Sequence, residues 1–172
     1  MRSGDLDAYA ELVRRHAPMA IRTAVLLGAG PDGEDVVQEA LVKAYRSLNR
    51  FRDGAAFRPW LLRIVANETR NHHRTVVRRG ARERAVYLPA ELLDPEEEVA
   101  DRERKEQLLE AVAGLPDRLR VVVACRYLLE LSETETATTL GLPRGTVKSR
   151  LNRGLARLRE QLATSGREAD LV

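Results

Sequence analysis

Residues 132–160, SETETATTLGLPRGTVKSRLNRGLARLRE, decide how this chain folds. Ser132 and Glu135 stand at capping-box spacing, in which the hydroxyl accepts a hydrogen bond from a backbone N–H and the carboxylate reaches back to another. A helix is therefore expected to begin there. It is short, because Gly141 in LGLP supplies a stop, and Pro143 suits the first turn of a following helix, where its missing donor costs nothing. Two helices joined by a three- or four-residue turn containing Gly form a helix-turn-helix. In the second helix Val147, Leu151, Leu155, Leu158 and Leu162 recur at helical steps and make one apolar stripe. At about 100° per residue, Lys148, Ser149, Asn152 and Arg153 fall on a separate arc. Residues 141–160 hold six Lys or Arg and no acid before Glu160, whereas a solvated helix held by ion pairs would intersperse acids. The stripe is expected against the chain's own core and the basic arc against DNA, with Arg suited to guanine and Asn to adenine in the major groove.

Outside this stretch the charge is blocked rather than mixed. Residues 63–84 carry a net +5, residues 91–110 a net −6 and residues 144–159 a net +6, within an overall +3. Two basic segments separated by an acidic one suit a polyanionic partner that meets both basic faces.

Helical periodicity dominates the remainder, and no alternating run suggests a half-buried strand. The fold class expected is all-α. Residues 4–28 show apolar positions at Leu6, Tyr9, Leu12, Val13, Met19, Ala20, Ala24 and Leu27, with Pro18 set to kink or divide the helix and GAGPDG to end it. Asp32 or Gly33 opens a second helix with Val36, Val37, Ala40, Leu41, Ala44, Tyr45 and Leu48 on one face. Asp35, Gln38 and Glu39 lie opposite that face. After the loop RFRDGAAF, a third helix is expected from about Pro59 to Arg74, with Leu61, Ile64 and Val65 inward. Arg63, Asn67, Arg70, Asn71 and Arg74 run along another side as a second face suited to nucleic acid. Trp60 reads as a plug in the core. From residue 76 to 104 the pattern decays and no stripe persists, as in a linker. Helical order resumes with Leu108, Leu109, Val112 and Leu115, breaks at Pro116, and resumes through Leu119 to Leu129.

At 172 residues, 44% hydrophobic but only 4% aromatic, the chain suits one medium domain or two small ones with aliphatic cores. It has no apolar run of about 18 residues and no secretory leader pattern, so it is expected in the cytoplasm. The single Cys125 excludes an intramolecular disulfide, and in VVVACRY it reads as a small buried side chain. No His and Cys grouping suggests zinc, and no phosphate-cradling loop or catalytic constellation is evident, so no metal or other cofactor is expected.

Taken in order, GDLDAYAELVRRHAP, EDVVQEALVKAYRSLNRF, FRPWLLRIVANETRNHHR, LPDRLRVVVACRYLLELSETETA and GLPRGTVKSRLNRGLARLRE resemble the sigma-70 family in its short extracytoplasmic-function class. Asp35, Gln38 and Glu39 in D-x-x-Q-E and the run GTVKSR at Gly145–Arg150 carry the likeness most specifically. The resemblance implies a promoter-specificity subunit of RNA polymerase, with a sigma-2 domain over residues 1–75, a flexible linker over 76–104, a sigma-4 domain over 105–165 and a tail over 166–172. It assigns Asp35, Gln38 and Glu39 to docking on the coiled coil of the polymerase beta-prime subunit, and sigma-4 to the beta flap. Arg63, Asn67, Arg70, Asn71 and Arg74 fall to the minus-ten element, and the loop Arg52–Phe57 to a flipped base. Lys148, Ser149, Asn152 and Arg153 fall to the minus-thirty-five element. An anti-sigma factor is a further implied partner, able to hold the protein at the membrane. Thr134 and Thr136 depart from the family's usual Glu and apolar residue, so the first helix of the helix-turn-helix is expected to pack less tightly, and no domain beyond sigma-4 is expected.

Two other readings compete. A stand-alone helix-turn-helix regulator binding a palindrome as a dimer explains the C-terminus but leaves the N-terminal faces idle. A nucleic-acid enzyme would need a catalytic cluster, for which only Asp32, Glu34, Asp35 and Glu39 are dense enough, and polymerase docking explains those better.

Overall fold

A computed structural model describes residues 6–51, 56–78 and 99–169, which contain seven α-helices and no strand. Helix α1 spans Leu6–Ala24, α2 Gly33–Ser47 and α3 Phe57–Arg78. These three pack around a core of Ala20, Ala24, Val36, Val37, Ala40, Ala44, Leu61 and Val65. Small residues fill most of it, so the helices approach closely. Pro18 does not divide α1: it faces solvent, while Tyr9 before it and Ala20, Thr23 and Ala24 after it are all buried. The Tyr9 hydroxyl also donates to the Leu41 carbonyl across 2.5 Å, tying α1 to α2. The expected breaker run ends α1 through a π-type turn, Val25–Ala29, with Gly28 at φ 110°.

The C-terminal half comprises α4, Val99–Ala113; α5, Asp117–Val123, continued by a π-type turn Ala124–Leu128; α6, Glu133–Leu140; and α7, Arg144–Ala169. The capping box at α6 is formed, with the Ser132 N–H donating to Glu135 Oε2 at 2.8 Å and the Glu135 N–H to Ser132 Oγ at 3.2 Å. Gly141 closes the helix in the left-handed region, φ 66°. Pro143 stands one residue before α7, and its carbonyl accepts from the N–H groups of Thr146 and Val147. Along the α7 stripe Val147 and Leu158 are buried and Leu151 and Leu155 half-buried, but Leu162 is 36% exposed, so the stripe ends a turn earlier than its sequence suggests. Gly154 is a close approach: a Cβ there would stand 2.8 Å from Val123 Cγ2, so α7 and α5 pack nearly backbone to side chain.

Two helices outrun their expected limits. α3 starts at Phe57 and runs to Arg78, and α4 starts at Val99, inside the segment 76–104. Residues such as Arg102, Glu103, Arg104, Lys105 and Glu106 have good helix propensity but no apolar periodicity, so they propagate a helix without producing a stripe. The intervening residues 79–98 lie outside the described set, as does most of the loop Arg52–Phe57.

The two halves pack directly on each other. Leu26 and Leu62 from the N-terminal bundle join Ala124, Cys125, Leu129 and Leu131 in one buried cluster. Arg58 Nη2 donates to the Leu129 carbonyl at 2.9 Å, and Arg70 Nη2 reaches the Leu140 carbonyl at 3.5 Å. Helix α6 lies against α3. It turns Ala137 into the C-terminal core beside Val122 and Val147, while Thr136 and Thr139 lie roughly 100° and 160° around the helix from Ala137. Both threonines are fully buried, and neither Oγ1 has a hydrogen-bond partner. Unpaired buried hydroxyls each cost on the order of 1–3 kcal/mol. The helix is therefore closely packed rather than loosely as expected, and the cost of a threonine at 136 is an unpaired buried hydroxyl.

Removing the cap hydroxyl with Ser132→Ala should cost about 1 kcal/mol and lower Tm by roughly 2–4 °C, measured by thermal circular dichroism. The hydrogen bond from the Ser132 backbone, then that from its side chain, holds the Glu135 carboxyl below its ordinary value. A lowered folded pKa gives stability that is present above the unfolded carboxylate value of about 4.3 and lost as pH falls through the folded value. The stability difference between the native chain and Glu135→Gln should therefore vanish in acid.

Candidate nucleic-acid interface

Three polar faces emerge from these helices, each backed by buried residues of the same helix. On α2, Val36, Val37, Ala40 and Ala44 are buried while Asp35, Gln38 and Glu39 are exposed. Asp35 lies in the first turn, where a carboxylate meets the positive end of the helix. Val42, 47% exposed, continues the same face one turn on and adds an apolar spot that the sequence reading missed because it looked for charge there.

On α3, Leu61, Leu62, Val65, Ala66 and Thr69 are buried, and Arg63, Asn67, Arg70, Asn71 and Arg74 are all exposed. Arg70 Nη1 donates to Asn67 Oδ1 at 3.1 Å. The five residues share one helix side, but Arg70 is also drawn toward the C-terminal half through Leu140. Two cross-helix links hold this face in register with α2, and neither was read from sequence. Lys43 on α2 pairs with Glu68, which is 8% exposed on α3. His72 Nε2 lies 2.9 Å from Asp32 Oδ2 at the start of α2. A carboxylate buried on the inner side of a basic helix was the available signal.

At the N-terminal end of α3, Phe51, Phe57 and Trp60 form a ring cluster with centroids 5.1–5.8 Å apart. His16 lies against Phe57 at 5.3 Å. Burial, then the neighbouring Arg15 and Arg58 charges, lower the His16 pKa, so near neutral pH it packs as an uncharged ring. Trp60 is half-buried against the N-terminal core, which fits its reading as a plug. The cluster flanks residues 52–55, which lie outside the described residues.

On α7, Lys148, Ser149, Asn152 and Arg153 are exposed on one arc, opposite buried Val147, Gly154 and Leu158. Ser149 Oγ donates to the Thr146 carbonyl at 3.1 Å and Arg153 Nε to the Ser149 carbonyl at 3.2 Å. Both side chains thus lie along the helix, and the Arg153 guanidinium keeps its remaining donors. Cys125 is fully buried and desolvation raises its thiol to about 12, which removes nucleophilic character near neutral pH. Among the described residues no group of three or more His, Cys, Asp or Glu gathers to hold a metal, and no helix is long and apolar enough to cross a membrane.

Residues 12–79 match the family described as sigma-70 region 2, and residues 105–158 the family described as sigma-70, region 4. The chain is 31% identical to the ECF RNA polymerase sigma factor SigW of Bacillus subtilis, over 94% of this chain and 92% of that protein. It is 32% identical to the ECF RNA polymerase sigma-E factor of Escherichia coli K12, over 89% and 85%. Among solved structures, CnrH in complex with the cytosolic domain of CnrY matches at TM-score 0.69 and 28% identity, over 94% of this chain and 92% of that one. The sigma factor RpoE of Bartonella quintana, solved with the anti-sigma factor NepR, shares the fold at TM-score 0.74 and 23% identity, over 91% and 97%. These matches span both helical halves, so the chain belongs to the sigma-70 family, as a sigma factor of the extracytoplasmic-function class that directs transcription initiation by RNA polymerase.

Proposed function

We propose that this sigma factor divides its work among the three exposed faces and catalyses no bond change itself. Asp35, Gln38 and Glu39 on α2 dock on the coiled coil of the polymerase beta-prime subunit. Arg63, Arg70 and Arg74 on α3 hold the backbone of the opened minus-ten strand while Asn67 and Asn71 hydrogen-bond to it. Lys148, Ser149, Asn152 and Arg153 on α7 read the minus-thirty-five element, and the sigma-4 domain, residues 105–165, meets the beta flap. Residues 1–75 act as sigma-2, and residues 76–104 link the two. The observation that carries this reading is the exposure of every one of these side chains on helices whose opposite faces are buried. That two structural relatives were solved with CnrY and with NepR supports an anti-sigma partner here. The working site is the cytoplasm, at the nucleoid, with release from a membrane-held anti-sigma factor as one route to it. No observation favours a stand-alone dimeric regulator.

The elements read by α3 and α7 lie roughly 25 base pairs apart by their names, about 85 Å of duplex at 3.4 Å per step. A compact chain of 172 residues has a radius of gyration of about 16 Å and a diameter of about 40 Å. The seam through Leu26, Leu62, Cys125, Leu129 and Leu131 must therefore open for both faces to work on one promoter.

Reconstituted with core polymerase, the chain should direct heparin-resistant run-off transcription from a promoter bearing both elements. Failure to do so with a well-folded chain would count against the reading. Within that assay, Arg153→Ala or Asn152→Ala should change which minus-thirty-five sequences work, at about 1–3 kcal/mol per bidentate contact. Arg157→Ala and Arg159→Ala, placed for phosphates, should weaken all promoters alike and flatten the salt dependence. Equal losses on every promoter from Arg153→Ala would exclude base reading by that residue.

A further inference from the structure

A cleft of about 510 Å³ opens where the two halves meet, between α3 and the ends of α5, α6 and α7. This size falls within the roughly 300–1,000 Å³ range of small-molecule sites. Among the described residues Arg70, His73, Arg118, Arg120 and Arg150 line it, with Asp117 as the one acid. Asp117 is already engaged by Arg120 at 2.9 Å. Arg120 Nε is buried without a partner, and His73, Arg118 and Arg150 form no hydrogen bond or ion pair among the described residues. Among the described residues, arginines drawn from both halves line this cleft with one carboxylate beside them. Arg70 and Arg118 are exposed and Arg120 and Arg150 half-buried, so the guanidinium groups remain open to an entering anion. Leu27, Val121 and Leu142 supply an apolar wall beside the cations. Arginines recognise phosphate oxygens in bidentate fashion.

We infer that this cleft binds a phosphorylated small molecule of nucleotide size, with adjacent phosphates against Arg118, Arg150 and Arg70 and its less polar part on the apolar wall. Because the site needs residues of both halves, a ligand there binds the closed chain and not the opened one. By linkage it holds the seam shut. It also occupies Arg70, so it competes with single-stranded DNA for the same guanidinium. The binding step itself does not depend on promoter reading and is measured without polymerase.

The probes are inorganic pyrophosphate and ADP, titrated into the full chain by isothermal calorimetry at fixed salt. Saturable one-to-one binding is expected, tighter for ADP than for pyrophosphate, and raising Tm of the chain. Arg118→Ala with Arg150→Ala should weaken ADP binding at least tenfold, and Arg118→Lys with Arg150→Lys should restore part of it. Arg15→Ala, at an exposed cation on α1 that is not among the cleft's lining residues, should change it less than twofold. Arg118 is exposed and Arg150 half-buried, and matching circular dichroism of the double variant checks that the fold persists. Absence of saturable binding would overturn the inference, as would equal weakening by Arg15→Ala. A short single-stranded oligonucleotide that binds the cleft more tightly than ADP, with the same loss in the double variant, would also overturn it in favour of nucleic-acid backbone.

Discussion

With Asn67 and Asn71 both replaced by alanine, the sigma factor should still bind core polymerase normally, but the resulting holoenzyme should leave thymines across the minus-ten region of a duplex promoter unreactive to permanganate. Both side chains are exposed on α3 beside three arginines, a pattern that suits a single strand rather than a duplex. Unstacking and extruding a base costs a few kcal/mol, and a helix face must return that energy through hydrogen bonds that arginines alone, bound to phosphate, do not make. Losing about 2–3 kcal/mol of that return lowers the open complex by roughly 30- to 150-fold. Asn67 currently accepts from Arg70, so Asn67→Ala also frees that arginine, and phosphate binding should survive or rise slightly. A promoter already mismatched across the region should partly restore initiation, since its unpairing cost is met in advance. Normal permanganate reactivity in the double variant would place strand capture elsewhere.

Replacing Asp35, Gln38 and Glu39 together by alanine should lower affinity for core polymerase by roughly 50-fold or more, on the scale of about 2–4 kcal/mol for a hot-spot group. The side chains project from the face of α2 opposite the buried Val36, Val37, Ala40 and Ala44, so the fold should persist. Most surface changes cost within about 0.5 kcal/mol, but Asp35 sits in the first turn of α2, and losing its carboxylate there adds about 0.3–1 kcal/mol. A modest fall in Tm with unchanged helicity is therefore expected alongside the binding loss. Wild-type affinity in a variant of unchanged helicity would show that docking uses another surface, and the exposed Val42 beside it would be the next residue to test.

Most of this architecture is legible in the sequence because each helix has one physical reason to turn a given face inward. The Val147–Leu158 stripe, the Ser132–Glu135 cap and the Gly141 stop are local, and the structure forms each of them. The polar arcs follow by exclusion, which is why Lys148, Ser149, Asn152 and Arg153 emerge exposed. Long-range features are another matter. Nothing in the spacing of Leu62 and Cys125 announces that they share a cluster, nor that Arg58 donates to Leu129. The start of α4 at Val99 eluded periodicity because its first two turns are charged on all sides. Gly154 carries no local signal of its role, yet it is the place where α7 meets Val123.

The most direct test of promoter reading by two separated faces is the distance between the halves, followed by energy transfer between dyes on cysteines introduced at the exposed positions Ala10 on α1 and Ala156 on α7. The native Cys125 is buried, with its thiol raised to about 12, so it will not compete for label. The free chain should show high transfer, within the roughly 40 Å of a compact body. In the open promoter complex with core polymerase, transfer should collapse as the faces move toward elements about 85 Å apart. A transcriptionally active complex that keeps the high transfer of the free chain would contradict it.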